Sequence, residues 1–339
     1  MKNIKKTTVA VISGGIGKEH GISVLGKNYV LSRIDRSCFS VLDIFIDRGG
    51  EWYLEEKSGR NIVHPIRKNG RAGFLSGSRF YPVAAAFPIL HGDFGEDGRI
   101  QGLLECIGMP FVGCKTITGA VAADKCFTKA VAESIGIPTV PWTAVNGVPD
   151  GERIKEIEDT LSYPIFVKPA RLGSSVGAGI AHDRAELCSL LSAAGELGDG
   201  RVIAERCLRS PRELECAMLD TARGRIFTFP AEVRTEGEFY SFEEKYSSTS
   251  SAKLALRAEI TEKTAECIKD YAKALADALG LEGISRIDFF LDGDDIYFNE
   301  VNTMPGLTES SLYPGLMEAK EESADFVNLL LESAVGASL

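Results

Sequence analysis

Charged and polar side chains recur at alternate positions late in the sequence: Arg286 and Asp288, then Glu300 and Asn302. On a strand, successive side chains point to opposite faces, so Arg286 and Asp288 share one face while Ile287 and Phe289 share the other. Glu300 and Asn302 pair off in the same way on a second run. The segments 285–291 and 296–302 are joined through Asp292-Gly-Asp-Asp295, a hairpin signal. Such a hairpin brings Asp288, Glu300 and Asn302 together as oxygen donors, the kind that Mg²⁺ prefers. It also sets Arg286 beside them, where a guanidinium can neutralise a transferring phosphoryl group. Taken alone, the same pattern fits the solvated face of an antiparallel sheet. Next along the chain is Asn302-Thr-Met-Pro-Gly306, a tight loop leading to Ser310-Ser311, and this reads as an anion-binding turn.

A second candidate is Lys168-Pro-Ala-Arg-Leu-Gly-Ser-Ser-Val-Gly-Ala-Gly179. Glycine and serine let backbone N–H groups approach phosphate oxygens, and Lys168 adds a point charge. No Gly-Lys-Ser/Thr succeeds it, so this is not a Walker A loop, and a plain turn fits as well. Gly14-Gly-Ile-Gly17 has His20 where a dinucleotide fingerprint needs its third glycine, which disfavours a Rossmann cofactor site. His91-Gly-Asp-Phe-Gly-Glu-Asp-Gly98 offers a histidine and carboxylates that are equally at home in a turn or a helix cap. Glu19, after the first apolar run, is open to the same two readings. No Ser-His-Asp or Cys-His arrangement is present in order or context.

Elements must position these residues. Val9–Ile12, 41–47 and 84–90 read as strands that end in glycine-rich loops, with helical pattern over 100–107. Strands alternating with helices predict an α/β layer over roughly residues 1–119. A helix is expected over 124–135, closed by Gly136, Pro138 and Pro141, and a strand over 165–168 stopped by Pro169. Asp183-x-x-Glu186 marks a helix start, and 202–205 and 213–219 read as strands. Residues 235–251 mix glycine, serine and charge without period, which predicts a long functional loop. Ala265, Ile268, Ala272, Leu275, Ala276 and Leu279 follow helical spacing up to Gly280.

The chain has 339 residues, enough for two or three packed domains, and 44% hydrophobic with 25% charged content is ordinary for a globular protein. A formal charge of −10 argues against a nucleic-acid footprint. The apolar run near the N-terminus is too short for a signal peptide, and no stretch approaches the ~18 apolar residues of a membrane span. Eight scattered cysteines without a Cys-x-x-Cys pair read as reduced thiols, and four dispersed histidines exclude a histidine-rich zinc site. A cytoplasmic protein with no membrane or nucleic-acid partner is expected.

Read together, these stretches resemble the D-alanine–D-alanine ligase family of the ATP-grasp fold, nearly end to end and in order. One signature is His91-Gly-x-x-Gly-Glu-Asp-Gly-x-Ile-Gln101-Gly; the other is Gly283-x-Ser-Arg-Ile-Asp-Phe-Phe290 with Glu300-Val-Asn-Thr-x-Pro-Gly306. Asp124-Lys125, Val167-Lys168-Pro, Gly173-Ser-Ser-Val-Gly177 and Glu244-Lys245-Tyr246 fall where the family has them. The resemblance implies an α/β (α+β) ATP-grasp fold with a Rossmann-like pre-ATP-grasp domain, divided as 1–119, 120–214 and 215–339. It implies ATP-dependent joining of two D-alanines through a D-alanyl phosphate, for peptidoglycan precursors, by a homodimer using ATP and two Mg²⁺ (Mn²⁺ substituting).

By the same likeness Lys125 and Lys168 hold phosphates, with Ser174, Ser175 and Lys245 also in the ATP set. Glu205 and Glu213 face adenine and ribose, and Asp288, Glu300 and Asn302 bind the metals. Glu19 orients the first substrate's amino group, with Ser174 and Tyr246 linking it to a mobile loop at 235–251. Lys245 and Ser311 meet the second substrate's carboxylate, His91 and Leu312 complete the substrate site, and Arg286 with the Gly306 N–H stabilises the oxyanion. Three positions depart from the pattern: Gly21 replaces a usual Glu, 209–212 is one residue longer, and Phe298 replaces Leu or Ile. Makers of D-alanyl-D-lactate or D-alanyl-D-serine are the near rivals; Tyr246 and Leu312 favour D-alanine. A nucleotide-binding sensor without turnover would be expected to have lost the metal trio, which is intact here.

Overall fold

The computed structural model describes residues 6–173, 176–197, 199–234 and 253–336. Strand β1 (Thr7–Gly14) buries Val9–Ile12 completely, because it runs through the middle of a sheet covered on both faces. Helix α1 (His20–Arg33) crosses back to β2 (Phe39–Ile46), which pairs parallel with β1. Then come β3 (Trp52–Glu56), β4 (Gly59–Ile62), β5 (His64–Lys68), β6 (Arg71–Ser76), β7 (Arg79–Pro82) and β8 (Ala85–Pro88). The first sheet has the order β4-β3-β2-β1-β8, and β5-β6-β7 form a separate small sheet. The hairpins between β2 and β8 carry no clear apolar alternation; all four residues of β4 are exposed, so the sequence signals no strand there.

Helices α2 (Arg99–Cys106), α3 (Thr116–Ala122) and α4 (Lys125–Ser134) lead to a second sheet. It comprises β9 (Trp142–Asn146), β10 (Ile165–Pro169), β11 (Gly179–Ala181) and β12 (Arg201–Arg206), in the order β11-β10-β12-β9 and antiparallel throughout. Helices α5 (Gly151–Leu161) and α6 (Arg184–Leu197) supply Ile154, Ile157, Leu187 and Leu191 to its core. The helix start expected at Asp183 is present: its carboxylate accepts from the Glu186 N–H, and Glu186 reaches back to the His182 N–H.

The third sheet contains β13 (Arg212–Thr221), β14 (Gly224–Phe227), β15 (Ala231–Arg234) and β16 (Lys253–Ala255), with β17 (Ile284–Asp292) and β18 (Asp295–Asn302) beyond α7 (Glu262–Leu279). All six apolar positions expected on α7 are buried; Thr261 caps its start and Gly280, at φ 68°, ends it. Ile287, Phe289, Phe298 and Val301 on one face of the β17–β18 hairpin pack on α7 and on Ala132 of α4. The opposite face is therefore the one left for chemistry. Helices α8 (Leu312–Glu318) and α9 (Phe326–Gly336) close the chain, and α9 shares a core with β1, β8, Ala217 and Ile284.

The division expected between 214 and 215 falls within β13, whose Arg212–Leu214 pair with 289–291. The second sheet's last strand ends at Arg206 and the third sheet's first begins at Arg212. The loop at 235–251 lies outside the described residues, as do Ser174, Ser175, Lys245 and Tyr246. Among the described residues no helix is long and apolar enough to cross a membrane.

Candidate active site

The β17–β18 register brings the polar faces into opposition: Arg286 pairs with Asn302 and Asp288 with Glu300. Asp288 is buried, and both of its oxygens are engaged. Arg286 donates Nε to Oδ1 at 2.8 Å and a second N–H to Oδ2 at 2.7 Å, while Asn302 Nδ2 donates to Oδ2 at 3.0 Å. Arg286 Nε also lies 3.0 Å from Glu215 Oε2, on the neighbouring strand β13. Burial alone would weaken the guanidinium's charge, but Asp288, Glu215 and Glu300 more than offset it and hold Arg286 protonated.

Beyond Asp288 the register shifts, so that Phe289 pairs with Phe298 and Asn299 becomes the additional residue of a bulge. Asn299 Oδ1 accepts from Lys168 Nζ at 3.2 Å. Lys168, on β10, also pairs with Glu205 Oε2 at 2.7 Å, and Lys129 takes Glu205 Oε1 at 2.8 Å. Lys129 is completely buried and Glu205 nearly so. Burial pushes the Glu205 carboxyl up, yet Lys129 and then Lys168 outweigh it and hold the group at about 2. Glu205 thus anchors Lys168.

Lys125 opens α4, and its position is set by Asp124. That side chain accepts from the Cys126 and Phe127 N–H groups as an N-cap and is gripped by Arg171 and Arg201. Lys125 Nζ then spans to Leu172 O at 2.9 Å and to Glu300 Oε2 at 3.2 Å.

The loop 91–98 faces the same region from the first sheet. The His91 Nδ1–H donates to Met304 O at 2.9 Å, and burial pushes the ring down to about 4, so it is neutral at pH 7. Glu96 accepts from Gly92 N at 2.8 Å and from Met304 N at 2.9 Å. Burial, then repulsion from Glu19, pushes its carboxyl up to about 7. Glu19 sits just before α1 and does not cap it with its side chain. A Cβ on Gly92, at φ 60°, would fall 1.9 Å from Glu19 Oε2, so only glycine leaves room for that carboxylate. Gly306 adjoins Ser311, whose Oγ accepts from Thr308 N at 3.1 Å.

Two cavities share this surface. A cleft of about 1440 Å³ is lined by Glu19, His91, Asn302, Gly306, Ser311 and Leu312. A smaller one of about 140 Å³ is lined by Lys168, Glu205, Glu213 and Asp288, with Phe166, Val176, Ile180 and Leu208 as apolar walls. Lys125, Arg286 and Glu300 line both. Every expected site residue within the described chain therefore borders one cavity or the other. Sequence reading missed Glu215, Lys129, Asn299 and the part played by Glu96. Two of them had a signal: Glu215 lies two positions from Glu213 on one strand face, and Lys129 one helical turn beyond Lys125.

Asp288, Glu300 and Asn302 offer hard oxygen donors on one face beside both cavities, and this suits a divalent cation of the Mg²⁺ type. Among the described residues no group of three His, Cys, Asp or Glu side chains forms a metal site, so the set consists of two carboxylates and an amide. Its carboxylates are balanced here by Arg286 and Lys125.

Known proteins match this chain along nearly its whole length. The model of the D-ala D-ala ligase N-terminus matches residues 8–114, and that of the D-ala D-ala ligase C-terminus matches residues 131–332. A D-alanine–D-alanine ligase from Thermoanaerobacter sp. is 34% identical over 354 aligned positions, covering 97% of this chain and 98% of the relative. Among solved structures, the VanG D-Ala:D-Ser ligase from Enterococcus faecalis superposes with a TM-score of 0.87 at 32% identity, covering 99% of this chain and 100% of that one. D-alanyl-alanine synthetase A from Vibrio cholerae gives 0.86 at 32% identity, with 97% and 99% covered. Those neighbours share the mixed α/β ATP-grasp architecture described above. Matched in both halves and similar along nearly its whole length, the chain belongs to the D-alanine–D-alanine ligase family.

Proposed function

We propose that the chain joins two D-alanines into D-alanyl-D-alanine with cleavage of ATP to ADP and phosphate, supplying peptidoglycan precursor synthesis. The observation that carries this reading is the meeting of the two cavities at Lys125, Arg286 and Glu300. The smaller, apolar-walled cavity suits an adenine nucleotide, with Glu213 toward the ribose and Lys168 and Lys125 along the phosphates. The larger cleft suits two small amino acids, with Glu19 holding the first ammonium and Ser311 the second carboxylate.

The first carboxylate attacks the terminal phosphorus, forming a C–O–P bond as the bond to the ADP oxygen breaks. The second amine then attacks the acyl carbon and phosphate leaves with the C–O electron pair. Negative charge develops on oxygen in both steps, so the fixed positive charge of Arg286, Lys125 and Lys168 and the Gly306 N–H lower both barriers. Asp288, Glu300 and Asn302 would hold divalent cations of the Mg²⁺ type, which supply charge neutralisation at the phosphates. Ser174, Ser175, Lys245 and Tyr246 complete the ATP and substrate contacts in this reading, and the segment 235–251 serves as the lid that keeps water from the acyl phosphate. The reading includes a cytoplasmic homodimer and a division into three domains.

The likeness to a D-Ala:D-Ser ligase supports one alternative second substrate, D-serine. ADP release with mass spectrometry of the products, across D-alanine, D-serine, D-lactate and L-alanine, separates the two. The expected product is D-alanyl-D-alanine, and absence of D-alanine-dependent ADP would overturn the reading. Glu300→Gln is expected to abolish turnover in a folded protein; near-normal activity would sink the metal assignment.

A further inference from the structure

Met304 is held at both of its backbone polar groups by one loop far away in sequence. Glu96 Oε1 accepts its N–H at 2.9 Å, and the His91 Nδ1–H donates to its carbonyl at 2.9 Å. Glu96 is tied back through Oε2 to the Gly92 N–H at 2.8 Å, and Gln101 Nε2 secures the same loop at Gly95 O at 2.7 Å. We propose that His91 and Glu96 are positioning residues, a clamp on Met304 that sets the Gly306 N–H and Ser311 in the cleft. This inference rests on the roles given above to Gly306 and Ser311.

The chemistry of the chain between clamp and donor makes the coupling direct. The Met304 carbonyl lies in the peptide plane that ends at Pro305 N, and the proline ring locks the next φ. Only the Pro305 ψ then separates the clamped carbonyl from the Gly306 N–H. Gly306 in turn abuts Ser311: a Cβ there would lie 2.9 Å from Ser311 Oγ. The Met304 side chain is anchored as well, buried in the core shared by β1, β8 and α9. A shift of the clamp therefore moves an oxyanion donor, and a displacement of about 1 Å in such a group costs on the order of 100-fold in rate.

A carbonyl can only accept, so the bond to Met304 fixes the proton of the neutral ring on Nδ1. Nε2 is left as a bare acceptor with no hydrogen-bond partner among the described residues. The ring thus offers two rival working atoms, Nδ1 toward Met304 or Nε2 toward substrate, and amide side chains of different length distinguish them. Asn places an N–H near the Nδ1 position; Gln places its amide near Nε2.

The test measures kcat and the KM values for D-alanine and ATP in His91→Ala, His91→Asn, His91→Gln and Glu96→Gln, with urea unfolding as the check on folding. Glu96→Gln leaves one carbonyl oxygen to serve two N–H donors, so one bond of the clamp is lost. The clamp predicts a kcat about 100-fold lower in His91→Ala and Glu96→Gln, with KM for ATP little changed. It predicts that His91→Asn regains most of the turnover and His91→Gln does not. Any other ordering overturns it: Gln regaining turnover at least as well as Asn, neither regaining it, or Ala and Glu96→Gln turning over like the parent protein. If the alanine variant does not fold, Asn against Gln decides alone. Failure of the underlying site assignment shows separately, as an unchanged KM for D-alanine in Ser311→Ala.

Discussion

Glu96 is a carboxylate enclosed by the protein, and its titration makes a sharp prediction about stability. Burial, reinforced by the nearby Glu19, lifts it from the usual 4.5 to about 7, against the opposing pull of the Gly92 and Met304 N–H groups and of Arg286. The folded protein therefore binds this proton more tightly than the unfolded chain does. Because the folded value is raised, the stability it contributes is complete below pH ~4.5 and is lost as pH rises through ~7. A tenfold change in proton affinity is worth about 1.4 kcal/mol, so the whole rise amounts to about 3 kcal/mol. Glu96→Gln removes the titration while keeping the size of the side chain. Urea unfolding of both proteins from pH ~5 to ~8 should show the parent losing up to about 3 kcal/mol relative to the variant. The absolute offset between them reports the altered hydrogen bonds and is not part of the prediction; the change in offset with pH is. Since His91, held near 4 by burial, titrates in both proteins, its contribution cancels. An offset that stays constant across this range would refute the reasoning.

Two further substitutions probe the same architecture. Gly92→Ala places a Cβ 1.9 Å from Glu19 Oε2 at a φ of 60°, so Glu19 must move; we expect the KM for D-alanine to rise about tenfold or more, with ATP binding preserved, and an unchanged KM would remove Glu19 from the substrate site. Lys129→Met takes one of two cations from Glu205 where Lys129 itself is fully buried, and a loss of about 3 kcal/mol in urea unfolding is expected; Glu205→Gln in that background should recover part of it, and additive losses would deny the pairing.

Much of the candidate site was legible because it depends on short-range periodicity. The alternation of Arg286 and Asp288, and of Glu300 and Asn302, needed only the strand period of two and a turn at 292–295, and the observed register pairs them as expected. The six buried positions of α7 came from the helical period in the same way. Chain elements without such a pattern were not legible. The exposed β4 and the small β5–β7 sheet have no apolar face long enough to signal a strand. The bulge that turns Asn299 toward Lys168 breaks the regular alternation of a strand.

By itself, then, the sequence determined the elements that carry a clear period, the buried face of α7, and which side chains of the hairpin would share a face. These are consequences of local geometry, in which each residue's direction is set by its neighbours along the chain. Tertiary structure decided what that face meets. Glu215 reaches Arg286 through the pairing of β13 with β17, Lys125 reaches Glu300 through the packing of α4 on the hairpin, and His91 and Glu96 reach Met304 across separations of 213 and 208 residues. No local periodicity encodes such contacts. They arise because separate apolar faces are buried against one another, and that burial fixes which polar groups are left within hydrogen-bonding distance.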